Sequence, residues 1–383
     1  MLNRKNIFGL FVLLMASTGY ANAYDFETAA RNAILMDFDT GEYLYEKNIQ
    51  EAVPPASMSK LMTVYILASK IKDGSVKLSD TFSVSENAWR KGGAATGGST
   101  MFLSIGDNVT VENLIKGIVI QSGNDACIVV AENIAGSEED FAILMNKTAQ
   151  KLGLKNSSFA NSTGLPHPDQ KMSMEDLAIL SRHIIKEFPD LYHYFSEKEF
   201  TYNKIKQGNR NPLLYSMEGA DGLKTGHTEE AGFCLAASAT KKGRRLIEVM
   251  SGMSSNKERS EESERLMSWG FREFDNYTIL KAGQNLGEAK VWYGQQKSVP
   301  LTVAKDVVKT VHMSKTGDVK ASAEYDEPIK APIAKGQEIG QIKVEIEGIA
   351  PLTIPLVAAE DVKEVGFWGK FWANVKYFVF SSK

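Results

Sequence analysis

The chain has 383 residues, with 44 lysines and arginines against 47 aspartates and glutamates, a formal net charge of −3 at neutral pH. With 43% hydrophobic residues it can build a packed core, and its weakly acidic balance is not that of a chain that coats nucleic acid. His167, His183, His193, His227 and His312 show no H-E-x-x-H or Cys/His spacing, so neither a metal nor a cofactor is expected.

Residues 1–23 read as a secretory leader. Arg4 and Lys5 precede a short apolar core over residues 7–16, and Ala21-Asn22-Ala23 forms a small-residue cleavage site. That core is shorter than the about 20 residues a bilayer span needs. Removing the leader starts the chain at Tyr24 and takes the charge to −5. The remaining about 360 residues exceed one ordinary core, so two domains are expected. Cys127 and Cys234 could pair in an oxidising compartment, but CIVVAEN and FCLAASA are the apolar surroundings typical of buried thiols.

The first element, ARNAILMDFDTGEYLYEKN, alternates about Asp39-Thr40-Gly41. Asp-Thr-Gly also surrounds aspartic-protease carboxylates, but one copy between two alternating halves reads as a hairpin turn. Next comes ASMSKLM at residues 56–62. A helix starting near Ser57 brings Ser57 and Lys60, three apart, onto one face. The following LMTVYILA is apolar on nearly every face, the pattern of a buried helix. A lysine there has an ordinary pKa near 10.4, and holding it neutral near pH 7 takes about 4 kcal/mol. A capping serine with a snorkelling lysine would use the same residues.

KGGAATGGST at residues 91–100 lacks the Gly-Lys-Ser/Thr of a phosphate loop and reads as a mobile loop. Two helical patterns, residues 111–120 and 126–135, are separated by Gln121-Ser122-Gly123-Asn124. A capping box at Ser173 and Asp176 opens another helix. GLKTGHT, GFCLAASATKKG and RRLIEVMSGM then read as antiparallel strands, followed by a helix over residues 256–269. After Phe274 come short alternating runs (AKVWYG, SVPLTVA, DVVKTVHM, EIGQIKVEIE, LTIPLVAA), the signature of a small β-sandwich. Lys-Thr-Gly occurs at 224–226 and again at 315–317, where it reads as a hairpin turn. Over residues 361–383, Phe367, Trp368, Phe371, Trp372, Val375, Phe378 and Val379 share one helical face, as in an amphipathic helix lying in a membrane interface.

Ser-Met-Ser-Lys at 57–60, Ser-Gly-Asn at 122–124 and Lys-Thr-Gly at 224–226 follow the order of the S-x-x-K, S-D-N and K-T-G set of class A β-lactamases and penicillin-binding proteins. With MFLSIGD, IQSGNDAC, KEFTYNKIKQGNRN and DGLKTGHT, the chain resembles the low-molecular-mass penicillin-binding proteins, specifically D-alanyl-D-alanine carboxypeptidases with an appended β domain. The resemblance implies an α/β (α+β) β-lactamase/transpeptidase-like catalytic domain over 24–274, with an antiparallel sheet and a helical lobe. It also implies an all-β sandwich over 275–358 and a membrane-anchoring helix over 361–383.

In that family's terms Ser57 is the nucleophile and neutral Lys60 its base. Ser122 relays the proton to the leaving D-alanine, and Asn124 holds the substrate amide. The N–H groups of Ser57 and His227 form the oxyanion hole. Lys224, Thr225, His227 and Arg259 attract the substrate carboxylate, and Lys224 disfavours charge on Lys60. Some relatives have Thr where this chain has His227, so that role rests on the backbone.

The implied partners are peptidoglycan stem peptides, β-lactams as covalent inhibitors, and the periplasmic face of the inner membrane. A serine β-lactamase, a DD-endopeptidase and a non-catalytic wall-binding module are the alternatives. Class A β-lactamases use a loop glutamate for deacylation, and here Glu175 looks like helix-cap chemistry.

Overall fold

A computed structural model describes residues 3–9, 26–315, 319–346 and 351–380. Most of the expected leader, with its cleavage site Ala21-Asn22-Ala23, lies outside the described residues, as do Thr316 and Gly317 of the second Lys-Thr-Gly. The chain forms two compact units. One spans residues 25–272, and the other runs from residue 273 onward and includes the short strand Asn3–Gly9.

The first unit is built on a five-stranded sheet in the order Tyr43–Lys47, Asn32–Asp37, Arg244–Met253, Gly232–Lys241, Ala220–Thr228, antiparallel throughout. Asp39-Thr40-Gly41 is the expected turn. Gly41, at φ +76°, donates its N–H to the Asp37 carbonyl at 2.9 Å, and the buried Asp37 carboxylate accepts from the Asp39 and Thr40 amides and from Arg244 Nε.

The Lys60–Lys72 helix is buried from Lys60 through Ala68, as its apolar circumference predicts. Val111–Val119, Asn124–Ala135, Glu138–Leu152 and Met174–Glu187 complete the helical lobe. Thr110, Ser137 and Ser173 cap three of them by accepting the N–H three residues on. The helix Asn256–Glu273 runs past its expected end at residue 269, and Gly270 lets it close on Leu35 and Leu246. Cys127 and Cys234 are both free and buried, so the possible disulfide is absent.

In the second unit a seven-stranded sheet runs in the order Asn3–Gly9, Val319–Glu327, Glu338–Ile346, Leu352–Ala358, Ser298–Thr302, Glu288–Trp292, Ile329–Lys330. Phe274–Leu280 pairs separately with Val307–His312. Leu301, Tyr325, Ile342, Val344 and Leu356 belong to its own core. The helix Phe367–Phe380 ends the described chain, with Phe367 78% and Trp368 71% exposed. Among the described residues no helix is long and apolar enough to cross a membrane.

Candidate active site

Ser57 does not open an α-helix. It lies in a 3-10 turn, Ala56–Ser59, that feeds the Lys60–Lys72 helix. In a 3-10 turn residues i and i+3 eclipse, which draws Lys60 Nζ to 2.9 Å from Ser57 Oγ. The Lys60 side chain is fully buried, and its amine also donates to Asn124 Oδ1 at 2.8 Å and to the Thr163 carbonyl at 2.5 Å. Those two oxygens only accept. A neutral amine therefore spends its two hydrogens on them and turns its lone pair to the Ser57 hydroxyl. Burial pulls the Lys60 pKa down to about 8, with Arg210 acting the same way and Cys127 and Asp125 opposing it.

Ser122 and Asn124 sit at the tight entry to the Asn124–Ala135 helix. Ser122 has φ +66°, and its buried hydroxyl has no hydrogen-bond partner among the described residues. It lines the same cavity as Ser57, where a buried hydroxyl without a partner can bond to a bound group. Asn124 is buried, with its amide oxygen on Lys60.

The edge strand Ala220–Thr228 brings the third motif. Lys224 is 2% exposed and donates to the Thr225 carbonyl at 3.0 Å. Burial first, then Lys60 and Arg210, hold its pKa well below that of an ordinary lysine. A β-carbon on Gly226 would lie 3.1 Å from the Pro55 carbonyl oxygen and 3.3 Å from the Ser57 nitrogen, so this strand runs directly against the Ser57 amide. From elsewhere in the fold Gly164, at φ +78°, presses on the same turn, and a β-carbon there would meet the Ala56 carbonyl oxygen at 2.0 Å.

The exposed His227 ring packs on Phe233, centroids 4.0 Å apart. The Arg259 guanidinium lies 5.8 Å from the same ring and donates to Asn256 Oδ1 at 2.7 Å. Arg259 is buried, its Nε has no hydrogen-bond partner among the described residues, and burial lowers its pKa to about 10.

A cavity of about 350 Å³ collects Ser57, Ser122, Thr225, His227 and Arg259 on its walls. Lys60, Asn124 and Lys224 do not line it. Ser99, Arg210, Phe233 and Asn256 do, and sequence reasoning had singled out none of them. The available signal for Arg210 was one basic residue in KEFTYNKIKQGNRN. The Thr163 carbonyl had none, because a backbone acceptor is the same at every residue. The charged groups on the wall are arginines, without a carboxylate, so the cavity suits an anionic ligand placed against an activated hydroxyl. Among the described residues no cluster of three or more His, Cys, Asp or Glu is arranged to hold a metal.

Residues 18–255 match the family model described as D-alanyl-D-alanine carboxypeptidase, and residues 274–364 match that of the penicillin-binding protein 5 C-terminal domain. D-alanyl-D-alanine carboxypeptidase DacC of Escherichia coli (strain K12) is 42% identical over 94% of this chain and 92% of its own length. DacF of Bacillus subtilis (strain 168) is 37% identical over 94% of both. Among solved structures, penicillin-binding protein 5 from Haemophilus influenzae superposes with a TM-score of 0.82 at 39% identity, covering 90% of this chain and all of that one.

Proposed function

The chain belongs to the D-alanyl-D-alanine carboxypeptidase family, and from that premise we propose that it removes the terminal D-alanine of peptidoglycan stem peptides through an acyl-enzyme on Ser57. It is a serine-type carboxypeptidase of the penicillin-binding fold. The observation that carries the residue assignment is the Lys60 amine, fixed by two acceptors and 2.9 Å from the Ser57 hydroxyl.

Neutral Lys60 takes the Ser57 proton as Oγ attacks the carbonyl between the two D-alanines. The Ser57 and His227 amides receive the developing oxyanion, and loss of such a donor typically costs about 3 kcal/mol. Ser122 delivers a proton to the leaving amine, and water then hydrolyses the ester. Asn124 holds the substrate amide. Thr225, His227 and Arg259 receive the terminal carboxylate, whose negative charge favours the ammonium form of Lys224 against the burial that disfavours it. With Lys224 charged, a second ammonium on Lys60 is disfavoured, which is the state the base requires.

β-Lactams acylate the same serine and leave slowly. Glu175, the residue nearest in sequence to a deacylating glutamate, begins the Met174–Glu187 helix, accepts from the Tyr43 hydroxyl at 3.0 Å and does not line the cavity. Lys315, of the second Lys-Thr-Gly, belongs to the other unit and plays no part.

The protein is exported by its leader and rests on the outer face of the cytoplasmic membrane through residues 361–383. Support comes from Phe367, Trp368, Phe371 and Trp372, all half or more exposed on the terminal helix. Half-insertion of the seven apolar positions of that face gives about 5 kcal/mol of attachment.

The deciding experiment offers the protein a pentapeptide ending in D-Ala-D-Ala alongside crosslinked muropeptides and follows D-alanine by mass spectrometry. Release from the pentapeptide is expected. Cleavage of crosslinks alone would make it an endopeptidase, and rapid multiple turnover of a chromogenic cephalosporin would make it a β-lactamase.

A further inference from the structure

The loop that presents the Thr163 carbonyl to Lys60 is organised by a side chain that does not line the cavity. Asn161 Oδ1 accepts three hydrogen bonds, from the Thr163 N–H at 3.1 Å, the Thr163 hydroxyl at 2.9 Å and the Gly164 N–H at 2.7 Å. Its Nδ2 donates to the Leu165 carbonyl at 3.0 Å, so the amide closes the turn at both ends. The flanks are pinned separately. Thr63 donates to the Ser162 carbonyl at 2.7 Å, the Ser162 hydroxyl donates to Glu138 at 2.9 Å, and Gln170 Oε1 accepts from the Ala160 N–H at 2.8 Å. The Thr163 carbonyl is thus the centre of a turn whose curvature Asn161 sets.

We infer that Asn161 is a positioning residue for proton transfer from Ser57 to Lys60, acting through the Thr163 carbonyl. With Asn124 as the amine's only acceptor, the Lys60 amine is free to rotate about that one bond, and its lone pair sweeps a cone. The second acceptor at 2.5 Å stops the rotation and leaves the lone pair facing Ser57 Oγ. In the step itself the Ser57 O–H bond breaks, the proton passes to the Lys60 lone pair, and the oxygen electron pair forms the bond to the substrate carbonyl carbon as the carbonyl π pair moves onto its oxygen. Misplacement by about 1 Å of a group that orients such a transfer can cost a hundredfold.

The charged and titratable groups that act on Lys60 are Asp125, Cys127, Arg210 and Lys224. Asn161 is neutral. Replacing it with alanine leaves that set intact, so the midpoint of the pH–rate curve can move only downward, through the weakened Thr163 acceptor that favours the ammonium, while the alkaline plateau drops. A merely structural role would lower binding and rate together.

The inference rests on Ser57 and Lys60 as nucleophile and base, so Lys60→Ala is measured alongside. Acylation by a fluorescent penicillin is followed at several concentrations from pH 6 to 10, separating non-covalent binding from the chemical step. Asn161→Ala is expected to lower the plateau rate more than about tenfold, with binding within about threefold and the midpoint unmoved or lowered, never raised. Asn161→Asp, which keeps the shared acceptor, is expected to recover the plateau to within about fivefold, its acid limb displaced upward by the added charge. Both results together support the inference, and any other combination overturns it. If Asn161→Ala does not fold, Asn161→Asp decides alone by the same fivefold limit. If Lys60→Ala acylates at the wild-type rate, the base assignment falls and this inference with it. If Lys60→Ala is inactive and Asn161→Ala is unimpaired, only this inference falls.

Discussion

If Lys60 is the base, as proposed, its lowered pKa sets the pH dependence of the reaction. With its pKa drawn down to about 8, the base is mostly protonated at pH 7 and is freed as pH rises. Acylation of Ser57 by penicillin should climb about tenfold per pH unit below that value and level off above it. Ser57→Ala should not be labelled at any pH. A flat profile for the wild type between pH 6 and 8 would remove Lys60 from the role of base. Glu248 sets a different pH dependence, that of stability. It is fully buried on the Arg244–Met253 strand, and among the described residues only the Ser263 hydroxyl is near enough to oppose the burial that holds its pKa well above an ordinary glutamate's. The folded protein keeps a proton that the unfolded chain releases near pH 4.5, so the group's contribution is greatest below that pH and declines as pH rises toward the folded value. Glu248→Gln should therefore gain stability relative to wild type between pH 5 and pH 8, read as a widening gap in urea midpoints. A constant gap across that range would show that Glu248 is ionised in the fold.

At the level of elements, the site is three backbone segments meeting at one turn, and Gly226 is where the edge strand comes closest. Contacts of 3.1–3.3 Å are tighter than most real β-carbon contacts, and here the atoms in the way are backbone and a short side chain. Gly226→Ala should move the strand off the Ser57 amide and cut acylation by at least about tenfold, while the melting temperature falls only a few degrees. A variant with full activity would mean that the oxyanion donors lie elsewhere. How much of this was legible depended on which segments announce themselves in side chains. Ser57, Lys60, Ser122, Asn124 and Lys224 could be proposed because they fall, in order, on the three motifs of the family the chain resembles. The Thr163 carbonyl could not. The strand Val319–Glu327 was missed for a related reason. Its burial alternates strictly, with Val319, Ala321, Ala323 and Tyr325 inward, but alanine, serine, lysine and glutamate are weak strand formers and the period is faint without larger side chains. The cysteines could not be settled from sequence either, since pairing depends on where the helix and the sheet place them.

For the whole molecule, the proposed chemistry and the proposed membrane attachment fall in different units. Every residue assigned to the chemistry lies within residues 25–272, and the exposed aromatic helix belongs to the other unit. A protein lacking residues 361–383 should be soluble and should release D-alanine at the full rate, whereas the intact chain should sediment with membranes. A truncated protein that still sediments would place attachment elsewhere on the surface. The division was visible in the sequence as a change from long helical patterns to short alternating runs near Phe274, because a core built on helices and one built on strands use different hydrophobic periods.

Gly164 and Gly226 grip the Ser57 turn from two sides with bare backbone, and this limits how the protein can evolve under antibiotic selection. A change that excludes a β-lactam by moving the nucleophile must alter one of these contacts, and the same displacement excludes D-Ala-D-Ala. Escape is therefore channelled to side chains that shape the cavity without carrying the turn, such as His227, Phe233 and Arg210. A saturation library over these five positions, selected for D-alanine release in the presence of penicillin, should retain glycine at 164 and 226 and diversify at the other three. Recovery of resistant, active clones with a larger residue at either glycine would show that the grip is looser than its geometry indicates.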